Sequence, residues 1–179
     1  FNIANQTVSV AIMATGMVFV IVTRNIDLSV GALLATCSAV MGVMQVWVLP
    51  GLVGVGNPLV APVAILAGFA AGTLIGAFQG WLVGYQKIPA FIVTLAGMSI
   101  LRGFALWITA GYSIPIAEQP GFFWLGRGSL LGMPVPALIA ILAAVAGFVC
   151  MGSTRYGRRV VATGSNLEAA RRVGMPARW

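Results

Sequence analysis

The chain contains no histidine, one lysine (Lys87) and only three carboxylates, Asp27, Glu118 and Glu168. Without histidine a two-histidine metal site and a Ser–His–Asp device are both excluded. No two carboxylates share one apolar run, so a carboxylate dyad finds no support. Lys87 follows Tyr85-Gln86 and not a glycine-rich loop, so there is no Walker A cradle for a nucleotide phosphate. Any ATP used must bind another polypeptide. No catalytic residue, metal ligand or cofactor site is assigned, and the chain reads as a non-enzyme.

Charge as a whole is scarce. Only 7% of residues are charged and 60% are hydrophobic, with a mean hydropathy of +1.01. A soluble domain carries about a quarter charged residues, so this composition indicates an all-α, polytopic integral membrane protein embedded in a lipid bilayer. The net charge of +7 would suggest nucleic acid in a soluble protein. Here the basic residues lie between or after apolar runs, where Lys and Arg mark the cytoplasmic side, and no nucleic-acid partner is expected. Cys37 and Cys150 sit within apolar runs and read as small hydrophobic side chains without a disulfide. Phe1 is not an initiator methionine, and the first run lacks the basic region of a cleavable signal peptide. The segment is therefore expected to be a piece of something longer, incomplete at both ends.

Five spans are legible, near residues 8–23, 28–49, 58–85, 89–109 and 134–152, making residues 1–153 a transmembrane region. Each approaches or exceeds the roughly 20 residues needed to cross about 30 Å of hydrocarbon. Residues before Val8 are free of charge and can extend the first. Residues 154–179 form a tail with Arg155, Arg158, Arg159, Arg171, Arg172 and Arg178 against Glu168, which places it in the cytoplasm. Counting back puts the loop 111–133 outside, the Gln86-Lys87 turn inside, 49–57 outside and the Arg24–Asp27 turn inside. Arg127 in an outer loop dissents, partly balanced by Glu118. Trp47, Trp81, Tyr85, Trp107 and Tyr112 fall near span ends, as an interfacial belt requires.

In the third span Gly68, Gly72, Gly76, Gly80 and Gly84 recur every four residues. Four residues advance a helix by about 400°, so they form a slowly drifting bare strip. A helix–helix packing face is the expected use; a glycine-lined solute path is the alternative. Polar groups in or beside the spans are few. Arg102 lies about 20 Å along a helix from Pro89 and either snorkels to the outer interface or faces an aqueous path. Gln79 can bond across helices or into that path. Asp27, just before Leu28-Ser29-Val30-Gly31, reads as the N-cap of the second span, or else as the inner end of a path with Ser29.

The tail holds a fully punctuated short helix near 165–174. Ser165 and Glu168 have capping-box spacing, Arg171 and Arg172 suit the negative end of the dipole, Gly174 can turn left-handed, and Pro176 blocks continuation. So short a helix is unstable alone in water and needs a partner surface, which Ala169 and Ala170 would let approach.

Taken together, Gly16-Met-Val-Phe-Val-Ile-Val-Thr-Arg-Asn-Ile-Asp-Leu-Ser-Val-Gly31, Lys87-Ile-Pro-Ala-Phe-Ile-Val-Thr-Leu-Ala-Gly97 with Arg102-Gly103, and Tyr156-Gly-Arg-Arg followed by Gly164-Ser-Asn-Leu-Glu-Ala-Ala-Arg and Gly174 resemble the monosaccharide importer permeases of the ribose/xylose type, which work with ATP-binding cassettes. Glu168-Ala169-Ala170 and Gly174 also match the general EAA…G pattern of bacterial importer permeases. The likeness runs from near Phe1 to Trp179. It implies a permease of the bacterial inner membrane, paired with a second permease copy, served by an extracytoplasmic sugar-binding protein and docked to an ATPase subunit. By the same likeness Gly164, Ser165, Asn166, Leu167, Glu168, Ala169, Ala170, Arg171 and Gly174 would form the ATPase-coupling helix. A branched-chain amino-acid importer permease is the nearest alternative; a membrane-embedded enzyme or a scaffold stands behind it. The sugar itself is not readable.

Overall fold

A computed structural model describes residues 2–116, 120–130 and 132–175; Glu118, Pro176 and Arg178, given roles above, lie outside them. In lipid every backbone N–H and C=O must find its partner within the protein, so apolar segments of this length have helix as their only open form. The elements are α1 (Asn2–Val22), α2 (Val30–Val43), a π-helical stretch (Met44–Val48), α3 (Leu49–Val53), α4 (Val60–Gly84), α5 (Ala90–Ile108), α6 (Pro120–Arg127), a short antiparallel pair β1 (Ser129–Leu130) and β2 (Met133–Pro134), α7 (Val135–Ser153), α8 (Arg155–Ser165) and α9 (Leu167–Arg172). Among the described residues four continuous helices are long and apolar enough to cross a membrane: Val30–Val53, Val60–Gly84, Ala90–Ile108 and Val135–Ser153. Thr7–Val22 of α1 is a shorter apolar one. The expected all-α, multi-span architecture therefore stands. α6 and the small hairpin were not foreseen inside the 111–133 loop, and neither was α8.

Two compact units divide the chain, residues 28–123 in one and 1–27 with 124–179 in the other. In the first, α2 packs on both α4 and α5. The buried Thr36 hydroxyl donates to Leu101 O at 3.0 Å and Ala32 O at 2.9 Å. Gly97 of α5 lies by Ser29, at the start of α2, while Ile114 beyond α5 reaches Gly42, near the end of α2. The two helices thus run in the same sense. α4 runs against them, since its start packs Val60 and Ala64 on Leu49 while its later Gln79 meets Ser29. Three successive spans have to alternate in this way.

The π stretch explains itself through Pro50. A proline inside a continuous helix clashes with the carbonyl four residues back, and a wider turn just before it relieves that crowding. Gln45 sits in this stretch, 1% exposed, and its amide atoms have no hydrogen-bond partner among the described residues.

Of Gly68, Gly72, Gly76 and Gly80, the first two meet a neighbour. A Cβ on Gly68 would collide with the Met41 side chain and stand 3.4 Å from Cys37 O, and one on Gly72 would stand 3.0 Å from Cys37 Sγ. Gly76 and Gly80 face open space. The strip drifts round the helix, as its four-residue repeat demands, and leaves α2 halfway along. Phe69 and Leu74, each 70% exposed, flank this face with a surface suited to lipid or another helix and not to water.

In the second unit α1 and α7 pack side by side. Gly147 lies against Thr15 and Phe19, and the Tyr156 and Phe19 rings are 6.2 Å apart. Both helices therefore end on the same side, the side that carries α8 and α9.

Gly68→Leu should cost about 1–3 kcal/mol through overpacking against Met41. Gly76→Ala should be neutral or stabilising by up to about 1 kcal/mol, because alanine is the better helix former. Denaturation in detergent compares them, and equal losses would contradict the half-engaged strip.

Candidate functional site

The residues singled out from the sequence gather in two places. One is the elbow formed by α7, α8 and α9. α7 ends at Ser153, and Thr154 breaks the helix in an extended conformation while capping α8, its Oγ1 accepting from Gly157 N–H at 3.1 Å. Gly157 lies so close under the carbonyls of Cys150 and Met151 that a Cβ there would overlap them. Only glycine lets α8 fold back this sharply. α8 buries Gly157, Val160 and Gly164, spaced i, i+3 and i+7, and exposes Arg155, Arg158 and Arg159. That is an amphipathic helix whose apolar side is mostly glycine. Its polar side was readable, because Arg155, Arg158 and Arg159 give α8 a strongly amphipathic pattern, although two of its three buried positions are glycine.

α9, Leu167–Arg172, keeps the expected stop but starts later and is shorter than expected. Ser165 is the last residue of α8, and Asn166 is the N-cap, its Oδ1 accepting from Ala169 N–H at 3.0 Å. The capping box is thus corrected: α8 claims Ser165 for its own final turn, leaving the extended Asn166 to satisfy the next helix. Glu168 pairs instead with Arg172 at 3.9 Å, both side chains 83% exposed, a contact that adds little stability. Gly174 takes the left-handed conformation at φ 77°. Met175 N–H then bonds Ala170 O at 3.1 Å and Gly174 N–H bonds Arg171 O at 3.0 Å, the Schellman ending. Ala170 is buried and Leu167 half-buried, while Glu168, Ala169, Arg171 and Arg172 are exposed. The helix offers one small buried side to its own chain and a charged outer side to anything that binds.

The second place is the α2–α4–α5 group. Ser29 is fully buried and its hydroxyl donates to Gln79 Oε1 at 3.1 Å; Gly97 leaves room for the Gln79 amide nitrogen. Ser29 is the N-cap of α2 yet makes no side-chain cap bond. The residue immediately before α2 is Ser29 and not Asp27, with Leu28 between them. Arg102 is exposed and not joined to the Ser29–Gln79 pair. It lines a separate groove of about 430 Å³ with Ser38, Gly42, Thr109, Tyr112 and Ser113. The four candidate path residues therefore divide. Ser29 and Gln79 meet, Arg102 stands about 7.5 Å farther along α5 than Gly97, and Asp27 lies in the preceding turn.

Among the described residues no group of histidine, cysteine, aspartate or glutamate could hold a metal.

Residues 1–179 match the family described as branched-chain amino acid transport system / permease component. The chain belongs to that permease family. Among curated relatives it is 31% identical to the xylose transport system permease protein of Escherichia coli K12, covering 97% of this chain and 57% of that protein. It is 37% identical to the galactofuranose transporter permease protein of the same strain, covering 99% and 49%, and 39% identical to its ribose import permease protein, covering 98% and 52%. No solved structure gives a significant match. The chain thus spans about half the length of the permeases it matches. Family membership and the apolar helices together make it a multi-pass protein of the bacterial inner membrane, and the resemblance to sugar importer permeases holds.

The cap assignment carries a test. Asn166→Ala should weaken α9 by about 1 kcal/mol, making amide exchange at Ala169 about fivefold faster. Ser165→Ala should leave it unchanged. The reverse pattern would restore Ser165 as the cap.

Proposed function

We propose that this segment is the core of a permease subunit that admits a monosaccharide across the inner membrane, driven by ATP hydrolysis on a separate cassette subunit. The observation that carries the reading is the elbow. A span leads through a glycine-pinned turn into a capped helix with a charged outer side, the form a small docking element must take if it is too short to stand alone. The arginines of α8 and α9 support a cytoplasmic position for it, where a soluble ATPase can reach it. On this reading Gly164, Ser165, Asn166, Leu167, Glu168, Ala169, Ala170, Arg171 and Gly174 form the coupling helix and its flanks, with Glu168, Ala169 and Arg171 on the side open to a partner. A second permease copy and an extracytoplasmic binding protein complete the assembly, and this subunit itself performs no catalysis.

The solute class follows from the relatives and the path chemistry together. Three relatives carry the names of sugars. Ser29 and Gln79 are neutral hydrogen-bonding groups able to exchange partners with sugar hydroxyls, and Arg102 in its groove is the one cation among the proposed path residues. A zwitterionic amino acid calls for fixed charge of both signs, and Asp27 with Arg102 carries both, so the names of the relatives weigh more here than the path residues. The family's own description favours the second reading, a branched-chain amino acid as solute. Uptake of labelled ribose, xylose, galactose and leucine by the complete transporter separates the two, and leucine uptake alone would overturn the sugar reading.

Docking has its own test. Gly174→Asp forces a side chain onto a left-handed position, strain of about 1–2 kcal/mol, and sets a negative charge at the negative end of α9. Glu168→Arg reverses the one acidic group on the outer side. Both should reduce cassette co-purification at least about tenfold, the effect of roughly 1.4 kcal/mol. Wild-type recovery with both variants would contradict the coupling surface.

A further inference from the structure

We propose that Arg24 is a positioning residue for force transmission, tying the α8–α9 elbow to the end of α1 so that movement of the docked helix reaches the first span. The inference rests on the docking reading above and adds the route by which motion enters the membrane.

The backbone makes Arg24 conspicuous. Arg24 N–H bonds Ile21 O at 2.9 Å and Asn25 N–H bonds Val20 O at 3.2 Å, so α1 closes with the same motif that closes α9. At its left-handed position stands an arginine with φ 61°, where glycine is the usual occupant. A side chain kept at a strained position is worth following to its contact. Here the guanidinium Nη2 donates to Ser165 O at 3.2 Å.

That acceptor is the last residue of α8, immediately before the Asn166 cap of α9. Carbonyls at a helix C-terminus lack partners within the helix and carry its negative partial charge, so a cation is suited to the place. The bond falls at the joint between the two tail helices.

A second contact lies beside it. Gly164 is pressed so closely on Val22 O that a Cβ would overlap that carbonyl. The elbow therefore meets α1 at a backbone pivot and a polar tie. Next to them an open cleft of about 310 Å³ is lined by Thr23, Arg24, Asn25, Thr163, Gly164 and Leu167. The joint is not packed solid, and rocking about the Gly164 pivot is resisted by the tie. Arg24 itself is exposed, which keeps the bond breakable and suits an element with two arrangements.

The test uses the complete transporter, with permease, cassette and binding protein reconstituted in lipid nanodiscs and assayed with D-ribose and D-xylose. Arg24→Gly removes the side chain while relieving its backbone, so a folding defect would not explain its loss. Arg24→Ala and Arg24→Lys complete the set. All three should hold the cassette and hydrolyse ATP normally without binding protein. Stimulation by sugar-loaded binding protein should fall about fivefold or more in Arg24→Gly and Arg24→Ala, the lower end of usual inter-site coupling, with Arg24→Lys in between. Wild-type stimulation in Arg24→Gly would overturn the tie. Loss of cassette from the Arg24 variants would overturn it too, by placing the residue in the docking surface. Failure of the wild-type permease to hold the cassette would instead sink the docking reading.

Discussion

The tail of this protein depends on backbones meeting where side chains are missing. Gly157 sits under the final carbonyls of α7 and Gly164 on the final carbonyl of α1. A Cβ at either position has nowhere to go, because what it meets is main chain, which cannot rotate aside. These approaches set the angle at which α8 leaves the membrane-spanning helix and bring its end to α1. Hydrophobic burial contributes little here. The buried face of α8 is two glycines and a valine, so shape rather than apolar area holds it.

The same reliance on small residues appears among the spans. Lipid tails are as apolar as leucine side chains, so helices in a bilayer gain little by hiding hydrophobic surface from it and associate through close packing and hydrogen bonds. Gly68 against Met41, Gly72 against Cys37 and the Thr36 bond to Leu101 O are contacts of this kind. Many buried positions are accordingly small or polar, with Ala32, Thr36 and Ala39 on α2 and Ala61 and Ala64 on α4, beside a few larger ones such as Leu49, Val60 and Leu101. Many of the large residues, Phe69, Leu74 and Phe78 among them, are exposed.

The spans were legible because length and hydropathy are properties of a segment alone. The four long apolar helices begin and end within a few residues of apolar runs in the sequence, and the stop at Gly174 followed from the one residue type that turns left-handed without strain. The Asp27 and Ser165 caps misled because several polar residues in a row offered themselves at each site. Which one caps depends on where helical geometry begins, and neighbouring elements decide that. The glycine strip misled by half: its period gives the face, but how far a neighbour follows that face depends on the crossing of two helices. α8 carries a strongly amphipathic pattern through its arginines, but its contact face is mostly glycine, so the partner it packs on was not readable.

By itself the sequence determined that the chain lives in a membrane, that its spans are helices, and that it carries no histidine-based chemistry. These follow from transfer free energies and backbone hydrogen bonding, which act segment by segment. Its motifs pointed to the permease family as well. Only the tertiary structure decided that Ser29 and Gln79 meet while Arg102 does not join them, and that Asn166 rather than Ser165 starts α9. It also decided that Arg24 reaches a carbonyl 141 residues away. Such pairings depend on how helices cross and where each begins, and those are set by contacts between segments that no single stretch of sequence contains.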